Sequence, residues 1–242
     1  MKRWLQLLKR PSQLRHSDVW LTLIPALLWI GATHSRSVLI QPYCSENPAS
    51  CSSKSLLPVD QLGFVNEVDG ADLFSYYTQN TAGILAFTVP VAWSGYLWAV
   101  GAVSPAVALA AMGTDLVLVA QTSFWNGLLN ETTRLITQRP RPFVIQDPKG
   151  MGSDPAHYTS FYSGHTSFTA TSMVALFLIL LSRKAPLLLL MAFASLAPLL
   201  TFSTGALRVL AARHFITDVL VAGLAGTFVA LLIALLHKQK RN

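Results

Sequence analysis

The sequence predicts an all-α integral membrane protein: a bundle of six transmembrane helices that forms one membrane-embedded domain over residues 1–242. Composition is the first reason. Charged residues make up 12% of the chain and hydrophobic residues 52%, whereas about 25% of the residues in soluble domains are charged. The second reason is that the apolar residues form runs near the length of about 20 residues that crosses a bilayer as a helix.

Six apolar runs, of which the first and fourth are short, give the expected spans. They are Asp18–Thr33, Gly83–Val103, Ala106–Leu129, Phe168–Leu181, Pro186–Ala206 and Phe215–Leu236. An external loop is expected over about residues 34–82, and an interfacial helix or a plain basic anchor over Met1–Leu8. Residues 1–33 also resemble a signal peptide, and its cleavage would leave the other five spans oriented as before.

The positions of Lys and Arg predict the orientation. The net charge is +7, but the bases flank membrane spans, and no nucleic-acid partner is expected. Ten of the eighteen bases fall on one side of six spans: Lys2, Arg3, Lys9, Arg10, Arg15, Arg183, Lys184, Lys238, Lys240 and Arg241. Because cytoplasmic loops are enriched in basic residues, this side and both termini are expected to be cytoplasmic. The oligomeric state stays open.

Cys44 and Cys51 are the only cysteines, and both fall in the external loop. The expected orientation puts this loop in an oxidising compartment, which favours a disulfide between them. Two free thiols are the alternative. A metal site is not expected there, because no pair of histidines lies nearby in the sequence.

Three polar clusters lie at the outer ends of predicted spans. The first follows the third span and contains Arg134, Arg139 and Arg141, with Pro140 and Pro142 to end the helix. Three outer arginines run against the usual charge distribution and suit an anionic ligand. General binding of lipid headgroups is the alternative.

The second cluster, Ser163-Gly164-His165, directly precedes the fourth span. Backbone N–H groups at a helix N-terminus favour anions. Gly164 lets the backbone approach a ligand, Ser163 offers a hydroxyl group, and His165 can exchange a proton near neutral pH. Alone, this tripeptide is also a common turn.

The third cluster combines Arg208, after the fifth span, with His214 and Asp218 at the start of the sixth. Residues four apart share one face of a helix, so the Asp218 carboxylate can hold the His214 imidazole in one tautomer. Taken singly, this pair could be a cap, a surface pair or two metal ligands, and Arg208 could extend to lipid headgroups. All three clusters on one side of the bundle predict a phosphate pocket with a histidine nucleophile.

Residues 134–218 resemble the signature of the type 2 phosphatidic acid phosphatase and vanadium haloperoxidase superfamily, which reads Lys-x6-Arg-Pro, Pro-Ser-Gly-His and Ser-Arg-x5-His-x3-Asp. All the spacings are kept. Three positions depart: Arg134 stands in place of the lysine, Tyr162 in place of the proline and Leu207 in place of the serine. These departures bear on efficiency and substrate choice more than on the reaction class.

The resemblance implies a six-helix core and a lipid phosphatase that needs no metal or other cofactor. His214 would be the nucleophile, Asp218 its partner and His165 the general acid. The phosphate-binding residues would be Arg134, Arg141, Ser163, Gly164 and Arg208. Similar bacterial enzymes act on undecaprenyl diphosphate, phosphatidylglycerol phosphate or lipid A phosphates, which implies a place in the inner membrane with the active site on the periplasmic face.

Two other functions stay open. A lipid phosphotransferase would differ only in passing the phosphate to a second lipid instead of water. A non-enzymatic anion transporter could use the same arginines, and its best support is Asp115 within the third span. Substrate choice is expected to lie in the external loop and in Phe143–Phe161, where the exposed polar candidates are Asp147, Lys149, Asp154 and His157.

Overall fold

The computed structural model describes Leu14 and residues 16–239 of the chain. All regular elements in this part are helices and none is a strand, so the all-α prediction is confirmed. The long helices are α1 (His16–His34), α2 (Ala71–Ala99), α3 (Pro105–Thr137), α4 (Gly164–Ser182), α5 (Leu187–Leu210) and α6 (Ile216–Gln239). The helix expected over Met1–Leu8 lies outside the described residues.

Short helices occupy the connections between the long ones. Those of α type are Arg36–Leu39, Pro58–Leu62, Pro142–Gln146 and Pro148–Met151, and those of 3-10 type are Pro48–Ser50, Ser53–Ser55 and Pro155–Tyr158. Four of the seven lie between α1 and α2, and the other three between α3 and α4. The two connections that flank the predicted clusters are therefore folded segments.

Within the described part of the chain, five helices, α2 to α6, are long and apolar enough to cross a membrane. The helix α1 forms where the first span was expected, but its first turn contains Asp18 and it ends on His34, and it is not among the five. These apolar helices embed the protein in a membrane. The presence of a sixth span stays a prediction.

The expected external loop over residues 34–82 is wrong at its second boundary. The helix α2 begins at Ala71, directly after Gly70, whose φ of 77° places it in the left-handed region that glycine adopts without strain. Residues 71–82 include Asp72, Ser75 and Thr78, and a run this polar does not stand out as part of an apolar span. The helix instead extends beyond its apolar part, toward the clusters.

The helix α4 lies at the centre of the bundle. It packs against α2, α3, α5 and α6, and the middle of its core is formed by Met173, Leu176 and Leu180, which are fully buried. The helix α1 packs on α3, outside this group. Because α4 begins at the second polar cluster and contacts the helices that carry the other two, its central position brings all three clusters to one end of the bundle.

The predicted disulfide between Cys44 and Cys51 is present. The segment that it closes rests on Tyr158, whose hydroxyl oxygen accepts hydrogen bonds from the backbone N–H groups of Tyr43 (3.1 Å) and Cys44 (2.8 Å) and donates one to the carbonyl oxygen of Gly152 (2.7 Å). The disulfide-bearing segment thus packs against the connection between α3 and α4, just before the second cluster.

Asp115 is paired within the bundle. Its two carboxylate oxygens accept hydrogen bonds from the guanidinium group of Arg183, at 2.7 and 3.1 Å, and both side chains are buried. Arg183 follows α4 and also donates to the carbonyl oxygen of Ala111. The intramembrane acid that best supported a transporter therefore joins α3 to the end of α4, far along α3 from the arginine cluster.

Candidate active site

A cavity of about 550 Å³ opens at the end of the bundle where the three clusters meet. Six of the eight predicted site residues line it: Arg134, Arg141, Gly164, His165, Arg208 and His214. They come from the end of α3, the connection that follows it, the start of α4, the end of α5 and the connection before α6. Ser163 and Asp218 lie directly behind this lining.

His214 is almost fully buried, and its orientation is fixed by a backbone carbonyl group. Its Nδ1 atom lies 2.7 Å from the carbonyl oxygen of Ser160. Since a carbonyl oxygen can only accept a hydrogen bond, Nδ1 must carry the proton, which leaves the Nε2 lone pair of the neutral ring free. A neutral histidine held in this tautomer is equipped to attack phosphorus through Nε2.

Burial lowers the pKa of His214 well below its ordinary value, because a charged imidazolium loses its solvation there. The positive charges of Arg208, Arg141 and Arg134 lower the pKa further, and the hydrogen bond to the Ser160 carbonyl opposes them. The ring is therefore neutral at physiological pH, the form that a nucleophile needs.

Asp218 acts on His214 less directly than its spacing suggested. Its Oδ2 atom is 3.6 Å from Nδ1 of His214, which is longer than a hydrogen bond. That oxygen instead accepts hydrogen bonds from the Ser160 hydroxyl group (2.5 Å) and the Phe215 backbone N–H (2.9 Å). The carboxylate thus orients Ser160, and the Ser160 carbonyl holds the imidazole.

Three arginines form the cationic wall of the cavity: Arg208 is buried, and Arg134 and Arg141 are partly buried. The Nε atoms of Arg134, Arg141 and Arg208 have no hydrogen-bond partner among the described residues. Buried donors of this kind are rarely left unpaired, because each costs about 1–3 kcal/mol. Arginine also binds phosphate oxygens through parallel N–H groups. An anion is the ligand that fits this wall.

Carboxylates hold two of the three arginines. Arg208 is paired with Asp72 and donates to the Ser75 hydroxyl group at 3.2 Å. Arg134 lies 3.6 Å from Glu131, which also makes a bidentate pair with Arg36. These acids keep the guanidinium groups in place while leaving the Nε side of each unpaired.

Gly164 is the position where the α4 backbone approaches Arg134. A Cβ atom added at Gly164 would lie 2.9 Å from an Nη atom of Arg134 and 3.1 Å from Oδ1 of Asn130. Ser163 caps α4, since its hydroxyl oxygen accepts a hydrogen bond from the Thr166 backbone N–H at 3.4 Å. Its predicted contact with phosphate stays a prediction.

His165 lines the cavity in the first turn of α4. Its ring meets the Tyr76 ring edge-on, with the centroids 4.4 Å apart. Its Nε2 atom is buried and has no hydrogen-bond partner among the described residues. The ring is therefore held by packing, with one nitrogen available to a ligand.

The cavity continues away from the arginines along an apolar wall. Trp29 of α1, Phe87 of α2, and Ala120 and Phe124 of α3 line this part. Fourteen residues separate Ala120 from Arg134, and at 1.5 Å per helical residue the cavity follows α3 for about 21 Å. One end thus suits a phosphate, and the other suits a hydrocarbon chain.

The model of the PAP2 superfamily matches residues 108–242, which include α3 from Ala108 onward, α4, α5, α6 and every predicted catalytic and phosphate-binding residue. This chain belongs to the PAP2 superfamily. The sequence resemblance is therefore confirmed, and membership indicates a phosphatase acting on a phosphate substrate. Curated protein sequences and solved structures give no match.

Several residues of this PAP2 site were missed by sequence reasoning. Arg36, Asp72 and Glu131 hold the arginines or line the cavity, and Ser160 positions His214. The sequence does contain a pattern that could have indicated the roles of Asp72 and Glu131. Nine of the eleven Asp and Glu residues fall on the expected outer face, and the arginines on that face need negative partners. No sequence signal points to a carbonyl group as the partner of His214.

The loop residues expected to select a substrate do not line the cavity. Asp147 and Asp154 accept hydrogen bonds from the backbone N–H groups of Gly150 (2.9 Å) and Ala156 (2.8 Å). The Nδ1 atom of His157 lies 2.7 Å from the Met151 carbonyl oxygen. These three side chains stabilise the connection between α3 and α4. This structural role does not support their expected role in substrate selection.

Among the described residues of this PAP2 protein, no group of three or more His, Cys, Asp or Glu side chains is placed to hold a metal ion. The carboxylates near the cavity are engaged by arginines. A metal ion bound by His214 and Asp218 would therefore find no further ligands in this part of the chain. Metal independence of the reaction stays a prediction.

Proposed function

We propose that this protein is a membrane lipid phosphatase that hydrolyses a phosphate monoester or diphosphate of a lipid through a phosphohistidine at His214. The single observation that carries the proposal is the two-sided cavity. Its cationic end, with Arg134, Arg141 and Arg208, suits a phosphate, and its apolar end between α1, α2 and α3 suits the attached chain.

The packing of the first three helices supports entry of a lipid from the side. The helices α1 and α2 each pack on α3, but they do not pack extensively on each other. Trp29 of α1 and Phe87 of α2 face the cavity from the two sides of this gap. A lipid could keep its chain between these helices while its phosphate reaches the arginines.

In the first step, Nε2 of His214 attacks phosphorus in line with the departing oxygen. A P–N bond forms, the P–O bond to the lipid breaks, and His165 gives a proton to the leaving oxygen. The incoming phosphate carries negative charge, which favours the protonated form of His165. The arginines neutralise charge on the equatorial oxygens, from which most catalysis of phosphoryl transfer arises.

In the second step, water attacks the phosphohistidine. His165 takes a proton from this water, the P–N bond breaks, and inorganic phosphate leaves with His214 neutral again. The Ser160 carbonyl group keeps Nδ1–H in place through both steps, because it accepts that hydrogen bond in either charge state of the ring. Three guanidinium groups supply the positive charge that a metal ion supplies elsewhere.

We further propose that the enzyme lies in a bacterial inner membrane with this cavity on the periplasmic side and both termini in the cytoplasm. The bias of Lys and Arg toward the opposite ends of the spans supports this orientation. The disulfide in the loop on the cavity side supports it independently, because disulfides persist in oxidising compartments.

Phosphate release from matched substrates tests the proposal. With purified protein in detergent and excess EDTA, we expect turnover of a long-chain phosphatidate and of a polyprenyl diphosphate. Glycerol 3-phosphate has the same headgroup without the chains, and its kcat/KM should be at least about a hundredfold lower, the effect of burying three to four methylene groups. Equal kcat/KM values with and without the chains would contradict a lipid substrate.

The same assay separates hydrolysis from transfer to a second lipid. If water is the acceptor, free phosphate accounts for all the lipid phosphate consumed. Radiolabelled phosphate that appears in an added acceptor lipid instead of solution would identify a phosphotransferase. No turnover of any phosphate ester, with binding of phosphate retained, would favour a non-enzymatic anion protein.

A further inference from the structure

Asp60 lies in the connection between α1 and α2, outside the residues that match the superfamily model. Its side chain is fully buried, although it belongs to a short helix (Pro58–Leu62) on the exterior of the bundle. Buried carboxylates are retained only where partners satisfy them. Three hydrogen bonds do so here, and all of them lead to α6 or to Arg139.

Two of these hydrogen bonds fix the start of α6. Oδ1 of Asp60 accepts from the Thr217 backbone N–H at 2.8 Å, and Oδ2 accepts from the Thr217 hydroxyl group at 2.8 Å. A carboxylate at a helix N-terminus satisfies a free N–H group and interacts favourably with the helix dipole. Asp60 therefore holds the turn between His214 and Asp218.

The third hydrogen bond connects Asp60, through Arg139, to the Asp218 carboxylate. Oδ2 of Asp60 accepts from one Nη atom of Arg139 at 2.7 Å, and the other Nη atom donates to Oδ1 of Asp218 at 2.5 Å. The guanidinium group also lies over the Phe215 ring, 4.2 Å from its centroid. One planar fork thus joins a loop carboxylate to Asp218 with a fixed geometry.

From Asp218 the contacts continue to the nucleophile. Asp218 accepts from the Ser160 hydroxyl group at 2.5 Å, and the Ser160 carbonyl oxygen accepts from Nδ1 of His214 at 2.7 Å. Both partners of Arg139 are negative, so the guanidinium group cannot leave one without unpairing a buried charge. The orientation of His214 thereby depends on a residue that does not line the cavity.

We propose that Asp60 is a positioning residue for His214, acting through Arg139, Asp218 and Ser160. It contacts neither the substrate cavity nor the reacting atoms. It holds the Arg139 fork so that Asp218 and the Ser160 carbonyl direct Nε2 of His214 along the line of attack. This inference rests on the phosphatase function proposed above.

The substitution Asp60→Asn separates this role from simple anchoring of the loop. The amide oxygen of the new side chain can still accept from the Thr217 N–H, so the loop stays attached, but the charge that binds Arg139 is lost. We expect kcat to fall about tenfold, as a small misalignment of a reacting atom does. The KM should change less than about twofold, because the cavity lining is intact.

Vanadate inhibition reports the orientation of His214 itself. Vanadate forms a bond to the attacking nitrogen, whereas KM for the lipid depends on the arginines and the apolar wall. Asp60→Asn should therefore raise the vanadate inhibition constant by a factor similar to the loss in kcat. The exposed Glu46, in the same loop, supplies the matched control, and Glu46→Gln should leave both constants unchanged.

A double-mutant cycle tests the path through Arg139. If Asp60 acts through Arg139, Asp60→Asn combined with Arg139→Gln should lose no more activity than Arg139→Gln alone. Additive losses, an unchanged vanadate constant, or a rise in KM with kcat intact would each overturn the positioning role. Wild-type protein without phosphatase activity would instead overturn the proposed function, so the two failures are distinguishable. Thermal midpoints of all variants identify any general unfolding.

Discussion

At the scale of single residues, the main consequence of the structure is that the His214 ring is neutral at ordinary pH, the form that the proposed nucleophile needs. Its pKa is lowered by burial first and by the surrounding arginines second. A histidine with a lowered pKa stays neutral as the pH falls through its ordinary value of about 6.5. The neutral form that the proposed attack on phosphorus requires therefore persists into mildly acidic solution.

The acid limb of kcat/KM that belongs to the nucleophile should accordingly lie below about pH 6.5, since this parameter reports ionisations of the free enzyme. The measurement is a pH profile corrected for the second ionisation of the substrate phosphate. The free energy of unfolding should also depend on pH. Below about pH 6.5, His214 binds a proton in the unfolded state but not in the folded state, so the folded protein loses stability as the pH falls. An acid limb above about pH 6.5 in the corrected wild-type profile of kcat/KM would contradict this account.

Gly164 gives a second prediction at the same scale. In Gly164→Ala, the new Cβ atom would lie 2.9 Å from Arg134 and 3.1 Å from Asn130, so the end of the arginine must shift. We expect KM to rise about tenfold, the effect of losing one hydrogen bond to a charged group. Gly113→Ala on the same helix as Arg134 has open space around its Cβ and is the control. Equal KM values in the two variants would show that Arg134 does not bind the phosphate.

At the scale of secondary-structure elements, the connection between α3 and α4 is a structural part of the site. It contributes the Ser160 carbonyl group to His214 and the Thr159 hydroxyl group, which accepts a hydrogen bond from Arg141 at 3.1 Å. Tyr158 precedes both and joins this connection to the disulfide-bearing segment. The position of His214 thus depends on how firmly the connection between α1 and α2 packs against the connection between α3 and α4.

Tyr158→Phe should therefore destabilise the protein without touching the cavity. The variant leaves two backbone N–H groups and one carbonyl group without their partner, at a cost of about 1–3 kcal/mol in the free energy of unfolding. Chemical denaturation in detergent measures this loss. Tyr77→Phe removes a hydroxyl group from an exposed side chain and should change the stability little. Equal losses in the two variants would show that the Tyr158 hydroxyl group does not join the loops.

The sequence was informative for elements and much less so for contacts between them. Apolar runs locate the long helices, and residues four apart, such as His214 and Asp218, follow from helical geometry alone. Arg139 and Asp218 are 79 residues apart, and Asp60 and Thr217 are 157 apart. Pairing at such separations is decided by packing of the whole bundle. For this reason Arg139 was expected only as one of three outer arginines that suit an anionic ligand, whereas the structure pairs it with the Asp218 carboxylate.

At the scale of the whole molecule, the three clusters meet because α4 packs against all the helices that carry them. The two ends of the bundle therefore carry different features. One end has the cavity, the disulfide and the arginines, and the other has the connection between α4 and α5 with Arg183 and Lys184. The proposed orientation places the cavity end outside the cytoplasm.

Labelling of single cysteines tests this orientation. Ala156 is exposed near the cavity end, and Ser182 is exposed at the opposite end of α4. The two native cysteines form the disulfide and are not free thiols, so they can remain. In spheroplasts, Ala156→Cys should react with a membrane-impermeant thiol reagent and Ser182→Cys should react only after lysis. The reverse pattern would put the active site in the cytoplasm.

The central claim is that His214 becomes covalently phosphorylated during turnover. Rapid quenching of the enzyme with a radiolabelled lipid phosphate should trap a label that is stable in alkali, labile in acid and located on His214. His214→Ala should show neither the label nor turnover, while retaining the thermal midpoint of the folded protein. Turnover near the wild-type rate in His214→Ala, or a label on a carboxylate or hydroxyl group, would contradict the account.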